Sequence, residues 1–169
     1  MPDSRIAHLA ADAGAPVPLL LAAIELYESY GRLLDTGALD EWIDLFTEAA
    51  VYKAQPRENF DRGLPLATIY CSGKGMIRDR IFAIRETLVF SPRYVRHVTG
   101  LPRCRKGEGG ISGEAAFAVF QTQPERPTQI LATGRYIDRL VMTGNGLRIE
   151  QRLAVFDTLL LPNSLVYPL

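Results

Sequence analysis

Two long strand-like runs on either side of Thr143-Gly144-Asn145-Gly146 constrain the fold more than any other stretch. A Gly/Asn cluster supplies the positive φ angles of a tight hairpin turn, so the runs 129–142 and 147–161 are predicted to pair as antiparallel strands. Charge chooses the register. A two-residue loop at Asn145-Gly146 would set Arg139 across from Arg152. If Met142 pairs with Leu147 instead, Arg139 faces Glu150 and Leu140 faces Ile149. Like charges directly opposite are unfavourable, so the second register is expected. Residues 158–169 then carry no charged side chain. Their apolar members, Leu165, Val166, Tyr167 and Leu169 among them, need a partner surface in this domain or in another chain.

The first half of the chain has helical spacing. Leu20, Ile24, Tyr27 and Leu34 recur against Glu25, Glu28, Ser29 and Arg32, and Gly37 is the stop signal. A short helix is predicted over 40–46, with Trp42, Leu45 and Phe46 inward. A strand over 50–54 ends at Pro56. Residues 57–66 (RENFDRGLPL) are polar and rich in turn formers and read as a loop. A short edge strand over 67–71 precedes a third helix over 74–88, with Ile77, Ile81, Ile84 and Leu88 on its apolar face and Ser91-Pro92 ending it. From Tyr94 the period becomes two, with strands over 94–104, 113–122, 129–142 and 147–161 and hairpin loops at 105–110 and 124–127. Three helices followed by such strands predict an α+β fold, with the helices on one face of a long, curved antiparallel sheet. The shape is a cone, which can enclose a pocket. Residues 1–16, with Pro2, Gly14 and Pro16, read as an arm ahead of one domain over 17–169.

Composition bounds the function. A chain of 169 residues suits one domain and buries about 70% of its unfolded surface without needing staples. Equal numbers of basic and acidic residues, 19 each, argue against a generic nucleic-acid or anionic-membrane binder. The apolar run 17–24 stops at Glu25, too short to span a bilayer, and no positive region precedes it. Two cysteines, Cys71 and Cys104, are too few for a disulfide scaffold, so a reducing cytoplasmic setting is expected.

Few residues offer chemistry. His8 lies in the arm and reads as solvated. His97 lies in a strand, facing away from Arg96. Two roles are open to it. It is a general base in the cone, oriented by Asp35, Asp40 or Asp44, or it is a structural histidine bonded to a carbonyl or carboxylate. No C-x-x-C, H-E-x-x-H or G-x-S-x-G occurs, and the glycines at 107, 109 and 110 precede a strand rather than a helix, which argues against a phosphate loop. Arg135, Arg139, Arg148 and Arg152 could bind an anion; solvated strand faces or inter-chain ion pairs are the expected use.

Four motifs together point to a family. They are Arg57-Glu58-Asn59-Phe60-Asp61-Arg62-Gly63-Leu64-Pro65-Leu66, Tyr94-x-Arg96-His97, Arg152-Leu153-Ala154-Val155-Phe156-Asp157-Thr158 and Pro162-Asn163-Ser164-Leu165. In order and spacing the chain from about residue 18 to 169 resembles the small (beta) subunit of aromatic-ring-hydroxylating dioxygenases. Small subunits of salicylate 5-hydroxylase and terephthalate dioxygenase are the nearest in character. The resemblance implies a nuclear-transport-factor-2-like cone and an alpha3beta3 hexamer, with the small subunits as a trimer. It also implies a large (alpha) oxygenase subunit that carries a Rieske iron–sulfur cluster and a mononuclear iron. A Rieske centre takes two cysteines and two histidines, and a facial-triad iron takes two further histidines and a carboxylate. With two histidines in all, this chain cannot hold both, so a scaffolding role without catalysis is expected. Arg57, Glu58, Asp61 and Arg62 are the candidates for contact with the large subunit. Leu165 and Tyr167 are the candidates in the tail. The alternatives are a free-standing dehydratase- or cyclase-like cone enzyme using His97 with Asp40, and a cone that binds a small aromatic ligand.

Overall fold

The computed structural model describes residues 15–86, 93–158, 161 and 165–169. Helix α1 (Val17–Thr36) and the short α2 (Leu39–Ile43) lead into strand β1 (Phe46–Pro56). A single-turn helix α3 (Arg57–Asp61), strand β2 (Ile69–Ser72) and helix α4 (Lys74–Glu86) follow. The rest is sheet: β3 (Tyr94–Thr99), β4 (Arg103–Gly107), β5 (Gly110–Thr122), β6 (Gln129–Thr143) and β7 (Gly146–Phe156). The expected stop at Ser91-Pro92 lies outside the described residues.

Helices α1, α2 and α4 pack on one face of one seven-stranded sheet ordered β2-β1-β7-β6-β5-β3, with β4 also paired to β5. The sheet is mixed rather than wholly antiparallel, because β1 runs parallel to β7. Parallel neighbours need a long crossover, and here residues 57–145, about half of the chain, form it. This pairing is why the helices, which flank β1, are drawn across the final hairpin.

Three local elements differ from their sequence-based expectations. Phe46 opens β1 instead of closing a helix, and β1 is twice the expected length. Residues 57–61 form a helical turn where a loop was expected, supported by the i,i+4 pairs Arg57–Asp61 and Glu58–Arg62. The single strand expected over 94–104 is two, broken at Gly100-Leu101-Pro102. On α1 the buried face is Leu19, Ala23, Leu26, Tyr27, Tyr30 and Leu34, so Leu20 and Ile24 sit at its margin.

The final hairpin keeps the expected pairs Met142 with Leu147 and Leu140 with Ile149. Beyond them the register shifts by one: Arg139 stands opposite Gln151 and Asp138 opposite Arg152. Glu150 is the extra residue of a bulge and still pairs its carboxylate with Arg139. A bulge flips the parity of everything after it. Leu147 and Ile149 point inward before the bulge; Arg152, Ala154 and Phe156 do so after it. The two strands approach closely at Gly134, where a Cβ would lie 2.0 Å from the Val155 carbonyl oxygen, so no other residue fits there.

Candidate functional site

The concave side of the sheet is filled. Tyr27 and Tyr30 from α1, Trp42 from α2, Phe46 and Tyr52 from β1, and Tyr136 from β6 converge there, each at most 2% exposed. Their rings meet mainly edge to face, as in Trp42–Phe46 with centroids 4.9 Å apart, and Phe117 stacks on Tyr136 at 4.4 Å. Such pairs contribute about 0.5–1.5 kcal/mol each beyond their buried area.

The bulge delivers one charged group into this cluster. Arg152 is completely buried and makes a two-pronged bond to Asp138, with Nη2 2.6 Å from Oδ2 and Nε 3.0 Å from Oδ1. Its guanidinium lies over three phenol rings, 3.9 Å from the Tyr30 centroid, 4.2 Å from Tyr136 and 4.7 Å from Tyr27. Burial alone would lower the Arg152 pKa; the Asp138 carboxylate outweighs it and holds the group well above its ordinary value. Burial pushes up all four phenols around it, Tyr52 to about 12 and Tyr27, Tyr30 and Tyr136 further. The centre of the cone is therefore one fixed cation–anion pair in a wall of neutral phenols. Arg152 thus belongs to the interior, not to the solvated face or inter-chain pair expected of it.

His97 sits at the margin of the cone. Its Nδ1 is 2.6 Å from Asp35 Oδ1, and its backbone N–H donates to both oxygens of the same carboxylate at 3.0 Å. Its Nε2 lies 3.4 Å from the Pro168 carbonyl oxygen. The imidazole is 1% exposed and the Asp35 carboxylate 4%. Gly31 makes this approach possible, since a Cβ there would be 3.1 Å from His97 Cβ. The edge strand β3 is thereby tied to α1, and a carboxylate takes an N–H that would otherwise be open to strand addition. Asp40 and Asp44 are elsewhere: Asp40 pairs with Arg85 and Asp44 with Lys74, both about three-quarters exposed. The pairing of His97 with Asp40 is therefore not formed; Asp35 holds that place. An external groove of about 600 Å³ runs between α1 and the β3–β4 link, past Glu28, Arg32 and Arg96, with the His97–Asp35 pair beneath it. Both ring nitrogens of His97 are engaged, so neither is left to meet a substrate in that groove.

The charged turn is a surface feature with internal partners. Arg57 bridges Asp61 and Asp157, and the Asp157 carboxylate is the first cause of its raised pKa. Arg62 pairs with Glu58. Phe60 of α3 lies under the Arg135 guanidinium at 5.7 Å, which docks the turn on the sheet face opposite α1. The two tail candidates separate. Leu165 is buried in this chain's own core, while Tyr167 is half-buried at its margin.

Metal-ligand chemistry is scarce. Cys71 and Cys104 are buried free thiols whose pKa burial raises. Among the described residues no three His, Cys, Asp or Glu side chains are placed to hold a metal. A Rieske cluster and a facial-triad iron do not fit this donor set. Among the described residues no helix is long and apolar enough to cross a membrane.

Sequence reasoning found His97 and Asp35, singled out Arg152 but put it on the wrong face, and missed Asp138 and the residues that hold the tail. The available signal for Arg152 was the parity change from Leu147 and Ile149 to Ala154 and Phe156.

With this geometry in view, the comparisons agree. Residues 19–153 match the model of the SnoaL-like domain. The chain is 32% identical to the anthranilate 1,2-dioxygenase small subunit of Burkholderia cepacia, covering 85% of this chain and 90% of that one. It is 28% identical to the terephthalate 1,2-dioxygenase terminal oxygenase component subunit beta 2 of a Comamonas species, covering 83% and 92%. A Novosphingobium aromaticivorans crystal structure, provisionally assigned as the beta subunit of an aromatic-ring-hydroxylating dioxygenase, superposes with a TM-score of 0.81 at 35% identity, covering 89% and 97%. The chain belongs to the SnoaL-like family and, within it, to the small (beta) subunits of aromatic-ring-hydroxylating dioxygenases.

Proposed function

We propose that this chain is a structural subunit without chemistry of its own, which holds the large (alpha) oxygenase subunits of a multicomponent dioxygenase in place for the oxidation of an aromatic compound. The observation that carries this is the filled cone. The volume that would hold a substrate is taken by the Arg152–Asp138 pair, its phenols and Leu169. In this assignment the Rieske cluster and the mononuclear iron belong to the large subunit, and the protein works in the cytoplasm, where its free thiols stay reduced.

The sheet face away from α1 supports self-association as the trimer of an alpha3beta3 hexamer. Tyr94 and Val98 on β3, Ile130 on β6 and Tyr70 on β2 are each more than half exposed there. Register places Phe120, Ile137 and Leu153 between them. Apolar side chains from the five strands β2, β3, β5, β6 and β7, with Lys53 of β1 between Tyr70 and Leu153, are more than single exposed residues account for. The turn bearing Arg57, Glu58, Asp61 and Arg62 and the half-buried Tyr167 are the candidate contacts with the large subunit.

Purification of the tagged protein from its source cells, with a visible absorption spectrum of the eluate, tests this. The expected result is a larger partner chain and the brown absorption of a Rieske centre. A colourless eluate holding this chain alone overturns it.

A further inference from the structure

The tail 165–169 lies beyond the 19–153 span of the SnoaL-like domain and has no helix or strand of its own. It is nevertheless held by side chains from four different elements. Arg80 of α4 donates to the carbonyl oxygens of Leu165 and Val166 at 3.0 and 2.9 Å. His97 of β3 reaches the Pro168 carbonyl oxygen. At the end, the Leu169 main-chain oxygen accepts from Tyr30 Oη at 2.7 Å and from Tyr52 Oη at 3.3 Å. The Leu169 N–H donates to Tyr52 Oη at 2.9 Å. Leu169 is wholly buried, as is Tyr30, and Tyr52 is 1% exposed.

Core segments are ordinarily held by ladder or helix bonds. This one is held as a ligand is, by an apolar slot for the side chain and by buried phenols aimed at an amide N–H and a carbonyl. We propose that the mouth of the cone is a binding site for a leucine-type residue presented with its flanking amide N–H and carbonyl oxygen. In this chain Leu169 occupies it in cis. Tyr30 and Tyr52 read the main chain, and Arg80 and His97 fix the approaching segment. The site is independent of the scaffolding role proposed above, which stands or falls on the purification experiment alone.

Supplying the tail in trans tests it. A variant lacking residues 165–169 is mixed with the free pentapeptide Leu-Val-Tyr-Pro-Leu, and the emission of Trp42, the chain's single tryptophan, reports on the site. Trp42 packs on both Tyr30 and Tyr52. If the shortened chain is folded, the peptide should saturate a change in Trp42 emission and raise the melting temperature as its concentration passes the Kd. If it is unfolded, the peptide should restore its far-ultraviolet circular dichroism. Replacing the last leucine of the peptide by glycine should weaken binding at least about tenfold, the effect of losing one buried aliphatic side chain. The intact chain should not respond, since its site is full. No response of the shortened chain in either state, an equal response from the intact chain, or indifference to the leucine-to-glycine change each overturns the proposal.

Discussion

The protein carries two kinds of acid–base pairing, and their surroundings set their roles apart. Inside the cone, Asp138 and Arg152 are both fully buried. On the α3 turn, Glu58 and Arg62 form the same kind of bond at 3.1 Å with both side chains more than half exposed. The inner pair has lost its water and depends on the partner and on three phenol rings. The outer pair keeps its water and loses little when broken. A buried pair is costly to break and so specifies one arrangement of the core. An exposed pair leaves its charges legible to a partner.

Breaking the inner pair from one side should have the largest effect. Asp138→Ala strands a buried guanidinium and should lower stability by about 3–5 kcal/mol, read from urea unfolding. Joining Asp138→Leu to Arg152→Met should recover most of that loss, because removing both charges also removes their desolvation. A double variant as unstable as Asp138→Ala would mean that the phenol cage, not the charge pairing, holds the core together.

Alkaline pH addresses the same region without mutation. Tyr27, Tyr30, Tyr52 and Tyr136 all have raised pKa values in the folded protein, with burial as the first cause. Unfolded phenols ionise near their usual value of about 10. The folded form thus holds protons that the unfolded form has released. Its stability is intact below about pH 10 and falls as pH climbs, for Tyr52 until about 12. The slope approaches about 1.4 kcal/mol per pH unit for each such tyrosine. Phenolate absorbance and loss of circular dichroism should therefore rise together for these four. Ionisation ahead of unfolding would show the cone to be open to water.

The His97 clasp lies between the two extremes, buried but at the margin. His97→Ala removes the Nδ1 bond to Asp35 and leaves a carboxylate that is 4% exposed without its imidazole. The backbone N–H of residue 97 still reaches both oxygens, so the expected cost is that of one hydrogen bond to a charged group, about 1.5–3 kcal/mol in thermal or urea unfolding. Copurification of the iron-bearing partner should survive. A stable variant that abolishes turnover of the assembled oxygenase would return His97 to the chemistry.

What could be read from the sequence follows the range of each interaction. The helical period of 17–36, the turn at 143–146 and the pairing of Leu140 with Ile149 are local, and each was legible. The bulge at Glu150 was not, because straight alternation puts Arg152 with Arg148 and Glu150 on the outer face. One extra residue reverses that and turns an apparent surface arginine into the centre of the core. The parallel β1–β7 pairing and the grip of Tyr30, Tyr52 and Arg80 on the tail join residues 85 to 139 positions apart or span the whole crossover, where no pattern in a short window points to them. His97 was singled out as one of only two histidines, and the choice among Asp35, Asp40 and Asp44 needed the fold.

The smallest expected effect on stability belongs to the outer turn, and it should have the clearest consequence for assembly. Exchanging the charges by Glu58→Arg with Arg62→Glu keeps the i,i+4 pair, which is worth about 0.3–0.5 kcal/mol, and so should leave the melting temperature nearly unchanged. A partner facing the turn would meet the reversed pattern, and opposed charges at an interface cost far more than a surface pair contributes. Reduced recovery of the large subunit with an unchanged melting temperature is the expected outcome. Restoration at high salt would identify the loss as electrostatic. Full recovery at low salt would remove the turn from the interface and leave the open sheet face and Tyr167 as the surfaces to vary next.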